Sequence, residues 1–232
     1  MNPLYDDPER AAAYARISAA NAANAAYERP AVRALLGDVQ GLDVLDAGCA
    51  AGEHSAWLVE HGARVVALDA SEAMVALARE RLGERARVLQ ADLAQPLPFA
   101  DRSFDVVLSS LTLHYLADWS DPLREFARVL RPGGRLVFST HHPFMTAPDV
   151  DDYHAVRVVK ETWRGFEAPV EVTFYHRPLG RIVADVLAAG FALRGMHEPQ
   201  PTAEADARDP ALAARFRTGP GFLIVDAERV GR

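Results

Sequence analysis

A single cysteine, Cys49, stands in the chain of 232 residues. That excludes an internal disulfide and any cysteine-rich zinc site. Blocks of lysine and arginine are missing too, and the formal net charge is −7. A dominant interaction with nucleic-acid backbone or anionic lipid is therefore disfavoured, and a small-molecule ligand fits better. No apolar run is long enough to span a bilayer, and the opening "MNPLYDDPER" is acidic where a secretory signal is basic and then apolar. A cytoplasmic chain with no membrane partner is the expectation. Neither an internal repeat nor a low-complexity linker interrupts the chain, and half of its residues are apolar. One domain over residues 1–232 is the default.

Two periodicities alternate along the chain, which is the pattern of an α/β sheet. Leu42 to Asp46 reads as the first strand, followed by a helix from about Glu53 that stops at Gly62. "ARVVALD" is a second strand ending at Asp69. Ser71 then caps a helix carrying Met74, Ala78 and Leu82 on one face, closed by Gly83. "RVLQAD" is a third strand and "SFDVVLSS" a fourth, whose continuous apolar run suits a parallel strand covered on both faces. Ser120 or Asp121 is expected to cap a helix with Pro122 at its first position, and "RPGG" to end it before the fifth strand, "RLVFST". A helix over Pro178 to Ala189, stopped by Gly190, precedes the last two strands, "FALRGMHE" and "GFLIVDA". The regular cofactor-side half thus covers 38–141, and the last helix and strands 177–232. Residues 1–37 form an alanine-rich helical arm outside the sheet, with Tyr5, Tyr14 and Tyr27. Residues 142–176 are an insertion whose "AVRVVKETW" and "PVEVTFY" alternate with period two and predict a hairpin.

The stretch "VLDAGCAAGEHS" places a small-residue loop between a parallel strand and its helix, at the carboxyl edge where open α/β sheets bind ligands. Gly48 allows a tight turn and close approach of a ligand, and the amides near Gly52 to His54 can receive an anionic group. The reading is a nucleotide-type cofactor site. Asp69 stands about twenty residues further on, a spacing at which an acid can take both ribose hydroxyls, or else it caps the next helix. Asp92, after the third strand, reads in isolation as a turn acid. A dinucleotide-dependent oxidoreductase needs the third glycine of G-x-G-x-x-G, and His54 and Ser55 stand where that pattern would end.

Together, "VLDAGCAAGEHS", "VVALDASEAM", "LQADLAQPLPFADRSFDVVLSSLTLHYL" and "LRPGGRLVFST" resemble the successive motifs of class I Rossmann-like S-adenosylmethionine-dependent methyltransferases of the small-molecule branch. The resemblance runs from about residue 40 to 141. It implies a seven-stranded, mostly parallel sheet in the order 3-2-1-4-5-7-6 with strand seven antiparallel, helices on both faces, and S-adenosylmethionine lying across the ends of strands one to four. Asp46, Gly48, Ala50 and Gly52 would then surround the methionine part of the cofactor. Asp69 would hold the ribose, Ala70 and Met74 would pack on the adenine, and Asp92 with the amide of Leu93 would meet the adenine amino group. Ser109 would approach the methionine moiety. Ala50 departs from the family's usual glycine, which the chain tolerates if φ there stays below zero.

The implied activity is methyl transfer to a small-molecule acceptor with an O, N, C or S nucleophile. Such transfer depends on in-line geometry and desolvation more than on acid-base help. A protein that binds the cofactor and transfers nothing is the alternative. If the acceptor must lose a proton, His142 at the mouth of the insertion and His114 after the fourth strand are the candidate catalytic bases, although "LTLHYL" gives His114 a structural reading as well. The adjacent His141 and His142 have no acid at ligand spacing, so no metal is expected. Tyrosines of the arm and Trp163, Phe166, Phe174 and Tyr175 of the insertion are candidates for a lid over the acceptor, or only cover for the sheet. No N/D-P-P-Y/F tetrapeptide or basic face points to a nucleic-acid acceptor.

Overall fold

The computed structural model describes residues 3–163 and 169–231; Phe166 lies outside them. One sheet holds β1 (Asp43–Ala47), β2 (Arg64–Asp69), β3 (Arg87–Gln90), β4 (Phe104–Ser109), β5 (Leu130–His141), β8 (Phe191–His197) and β9 (Phe222–Arg229). Its order is β3-β2-β1-β4-β5-β9-β8, parallel from β3 to β5, with β9 antiparallel to both of its neighbours. Strands β6 (Arg157–Trp163) and β7 (Val170–His176) form the separate antiparallel hairpin, Arg157 opposite His176 and Trp163 opposite Val170. The sheet's sixth and seventh strands therefore carry the labels β8 and β9, in the reversed order expected.

Why the strands read as unbroken apolar runs is visible in their alternation. Val44, Val106, Leu108, Val137 and Ile224 face one side, while Leu45, Val107, Leu136, Phe138 and Leu223 face the other, and both sides are buried. A strand covered on both faces tolerates a polar residue only where a partner is built for it, as at Asp46 and Ser109. Helices α4 (Glu53–Glu60), α5 (Glu72–Leu82), α6 (Ser120–Val129) and α8 (Leu179–Ala188) supply the cover. Ser71 caps α5 by accepting the amide of Met74. At α6 the expectation was off by one or two residues: Asp118 accepts both the amide and the hydroxyl of Ser120, so the helix opens earlier and Pro122 lies inside its first turn. Behind it, β4 pairs through Leu130 and resumes at Arg135, so Pro132 to Gly134 form a bulge within β5 rather than a gap before it.

Before the sheet come α1 (Pro3–Asp6), α2 (Pro8–Ala20), a π-helical turn at Asn24–Glu28 and α3 (Arg29–Leu36). Asp7 caps α2 at the amide of Arg10. Val32 and Leu36 of α3 are buried in the same cluster as Val44 and Leu58, so the end of the arm belongs to the core beneath the sheet. The hairpin packs Val159, Val172 and Phe174 against Tyr5, Tyr14 and Tyr115. Between β5 and β6 lie α7 (Pro143–Thr146) and a short 3-10 turn, and between β8 and β9 lie α9 (Ala203–Arg208) and α10 (Pro210–Thr218). Among the described residues no helix is long and apolar enough to cross a membrane.

Candidate functional site

A cleft of ≈ 1380 Å³ opens at the carboxyl ends of β1, β2 and β4, roofed by α1, α2 and β7. One small ligand usually fills about 300–1,000 Å³, so there is room for two. Asp46, Gly48, Ala50, Asp69, Ala70, Met74, Asp92 and Leu93 all reach its wall. The loop after β1 is held open by three left-handed residues in five, Gly48 (φ 86°), Ala50 (φ 45°) and Gly52 (φ 78°).

Ala50 overturns the condition set by the sequence, since its φ is positive. The reason is Asp69: its Oδ2 accepts the Ala50 amide at 2.9 Å while its Oδ1 accepts the amide of Ser71 at 2.9 Å. One carboxylate thus ties the loop after β1 to the start of α5. Burial pushes the Asp69 carboxyl up, and the amides of Ser71 and Ala50 work against it. Left-handed backbone costs a non-glycine residue about 1–2 kcal/mol, whereas glycine costs about 0.5–1 kcal/mol of extra chain entropy. Ala50→Gly is accordingly expected to stabilise the protein by about 0.5–1 kcal/mol, raising Tm by about 1–4 °C. A lowered Tm on thermal melting would contradict a strained alanine.

Asp46 is buried and takes the Ser55 hydroxyl at 2.5 Å; burial raises its carboxyl, opposed by His54 and Ser55. Met74 packs with Ala51 and Ala11 of α2, which makes one apolar wall, and Leu93 is buried in the main core cluster beside Leu97. Asp92 is exposed at the rim, where its Oδ1 already accepts the amide of Ala94 at 2.9 Å.

Four candidates from the sequence do not reach the cleft wall. Gly52 is buried at the cap of α4, where an added Cβ would meet Ala78 and Leu82 at 3.4 Å, so it serves helix packing. Ser109 points into the sheet and donates to the Ala47 carbonyl at 2.9 Å; strand alternation turns Ser110, the next residue, to the cleft. His114 is buried against His141, ring centroids 4.2 Å apart, and burial followed by that neighbour lowers it well below the usual imidazole range. His142 caps α7: its Nδ1 accepts the amide of Phe144 at 3.0 Å and its Nε2 lies 2.9 Å from Glu198. Burial pushes the His142 imidazole down, against the pull of Glu198. Neither histidine lines the cleft.

In their place the fold delivers residues not singled out as site candidates. Glu28, Arg29, His54, Ser110, Thr112 and Tyr115 line the cleft. Tyr5 and Tyr115 join hydroxyl to hydroxyl at 2.7 Å, Tyr14 packs edge-on against Tyr5, and Trp163 stacks on Tyr14 from behind. Tyr175 also lines the cleft, while Phe174 is core, and Tyr27 donates to the Pro199 carbonyl at 3.0 Å among Phe216 and Phe222. The sequence signal for the new group was "YERP", an acid and a base together at the end of the alanine-rich stretch of the arm.

An open α/β sheet with a left-handed loop after β1 and an acid at the end of β2 defines a nucleotide-type cofactor-binding protein. A methyltransferase-domain family model matches residues 45–138, the span that carries this loop and both neighbouring strands. The chain is 32% identical over 189 residues to a malonyl-[acyl-carrier protein] O-methyltransferase of Enterobacter lignolyticus, covering 82% of this chain and 68% of that one. Its match to the corresponding enzyme of Serratia marcescens, 38% identical, covers 56% of this chain and 51% of the other, so the chain spans about half the length of that relative. The crystal structure of an S-adenosylmethionine-dependent methyltransferase from Mesorhizobium loti superposes with a TM-score of 0.72 at 33% identity, over 87% of this chain and 97% of that one. The chain belongs to the class I, Rossmann-like S-adenosylmethionine-dependent methyltransferase family.

Proposed function

We propose that the protein transfers a methyl group from S-adenosylmethionine to a small-molecule acceptor. The observation that carries this is the cleft itself, large enough for two ligands and bounded on one side by the Asp69-pinned loop. Its wall suits the cofactor: the acid Asp69 for the ribose, Ala70 and Met74 beside the adenine, Asp92 and the Leu93 amide at the adenine edge. Asp46, Gly48 and Ala50 border the methionine part.

The bound cofactor supplies a methyl group on a sulfonium cation, an electrophile that needs no metal or acid to activate it. What the chain contributes is placement and dryness. Tyr5, Tyr14 and Tyr115 line the cleft with aromatic surface, and Tyr5 and Tyr115 satisfy each other's hydroxyls, which limits water beside the reacting centre. Since His114 and His142 are turned away, the reaction proceeds by positioning and desolvation, without either as base.

S-adenosylhomocysteine is expected to raise the melting temperature and NAD is not. At about 100 times Kd the stabilisation is about 2.7 kcal/mol, or about 5–11 °C for a chain of this size. Screening metabolite extracts with cofactor carrying a labelled methyl group identifies the acceptor. Stabilisation by NAD alone would overturn the reading, and tight cofactor binding without label transfer to any acceptor would make the protein a non-catalytic binder.

A further inference from the structure

Away from the cofactor loop, buried polar atoms without a partner gather at two touching residues, His114 and His141. His114 sits in the 3-10 turn Leu113–Tyr115 that follows β4, and His141 ends β5. Their rings lie face to face, centroids 4.2 Å apart and planes 15° from parallel. Phe174 of β7 stands edge-on to both, at 4.7 Å from His141 and 5.9 Å from His114, and Phe222 of β9 packs 6.3 Å from His141. Both nitrogens of His114 and Nδ1 of His141 are buried with no hydrogen-bond partner among the described residues.

No carboxylate among the described residues bears on either ring. Burial and then the neighbouring imidazole lower His114 well below the usual range, and burial alone brings His141 to about 4. The titratable groups around the pair do not compensate. Tyr115, 4.3 Å from His114, is a phenol that burial raises, and its hydroxyl is joined to Tyr5. His142, next in the chain, gives its nitrogens to the Phe144 amide and Glu198, and His176 of β7 gives its own to Thr146 and the Tyr153 carbonyl. What β7 and β9 turn toward the stack is Phe174 and Phe222. A charged imidazole would have no counter-ion there, so both rings are neutral while the turn is closed.

The turn that these rings hold belongs to the cleft, because Thr112 and Tyr115 line it and Tyr115 meets the arm at Tyr5. We propose that the stacked pair His114 and His141 is a proton-operated latch on the turn Leu113–Tyr115. Neutral, the rings hold the turn against β5 and β7; protonated, they release it, and Tyr115 leaves the cleft wall. An exposed imidazole takes up its proton near about pH 6.5, whereas stacked His141 does so only at about 4. The latch is therefore at full strength above about pH 6.5 and weakens as the pH falls toward 4. Two rings released together favour opening about a hundredfold for each pH unit lost, and one ring about tenfold.

Hydrogen exchange on the full chain, divided by the intrinsic exchange rate at each pH, follows this opening and needs no ligand, so its result is independent of the function proposed above. The amides of Tyr115 and Leu116, bonded to the Thr112 and Leu113 carbonyls, report the turn, while those of β1 and α5 report the rest of the chain. Between about pH 6 and about pH 4.5, opening at the turn is expected to rise toward a hundredfold per unit, and β1 and α5 to follow far less steeply. His114→Leu and His141→Leu each remove one titrating ring and should cut the slope to about tenfold per unit; the double variant should show none. A double variant that keeps the slope would overturn the latch. So would a flat response in the unaltered chain, or one slope shared by the turn, β1 and α5, which is global acid unfolding. Both of these are read on the unaltered protein and decide the matter even if a variant fails to fold.

Discussion

Gly48→Ala is expected to lower the melting temperature by about 4–20 °C and to remove measurable binding of S-adenosylhomocysteine. A methyl group on residue 48 would lie 2.3 Å from Thr112 Cγ2 and Oγ1 and 2.7 Å from its Cβ. Thr112 cannot turn away at low cost, because its hydroxyl is bonded to the carbonyls of Ser110 and Gly48, at 2.9 and 3.2 Å. Overpacking costs about 1–3 kcal/mol and the left-handed φ about 1–2 kcal/mol more, each kcal/mol being worth about 2–4 °C here. Gly83, with φ 55° and nothing within 4 Å, is the control: Gly83→Ala meets only the conformational part. Equal losses at the two positions would show that the close approach of Thr112 is unimportant.

Asp185→Ala should be of similar size for a different reason. Arg177, 3% exposed, leaves β7 and pairs with Asp185 at 2.7 Å, donates to the Ala117 carbonyl at 2.8 Å and lies over Trp119. Arg181 shares the same carboxylate at 2.7 Å. Removing the acid leaves the Arg177 cation buried and unpaired, which costs about 3–5 kcal/mol and about 6–20 °C in Tm. Arg177→Met combined with Asp185→Leu removes both charges and is expected to recover most of that loss. Chemical denaturation of the three proteins checks this, and a double variant no better than Asp185→Ala would mean that the pair contributes packing rather than charge. The function at stake is the return of the hairpin to the sheet, because Arg177 joins the end of β7 to the turn after Leu113–Tyr115, which carries Tyr115 into the cleft wall.

The strands of the sheet, the helices between them and the loop after β1 were legible because their signals are local, whereas the sheet order came from the family resemblance and α9 and α10 were not foreseen. A run such as "FDVVLS" between turn residues has few options, and Ser71 three residues before Met74 is a cap wherever it occurs. Asp69 was found by its distance along the chain from the glycine loop. Its pinning of Ala50 in a left-handed conformation was not, because that contact depends on how β1 and β2 sit side by side.

The sequence by itself therefore determined the class of fold, the place of the cofactor loop at the carboxyl edge, and the family to which the chain belongs. Tertiary structure alone decided which side chains face the cleft. Ser109 and Ser110 are neighbours of one type, and only the pleat of β4 turns one into the sheet and the other toward Glu28. His142 stood at the right edge, yet the first turn of α7 and Glu198, 56 residues later in the chain, claim both of its ring nitrogens. Glu28 and His54 lie on different helices, and Ser139 is 111 residues from Glu28. Periodicity and capping are set by residues a few positions apart, whereas a site is made by side chains that only the packing of distant elements brings together.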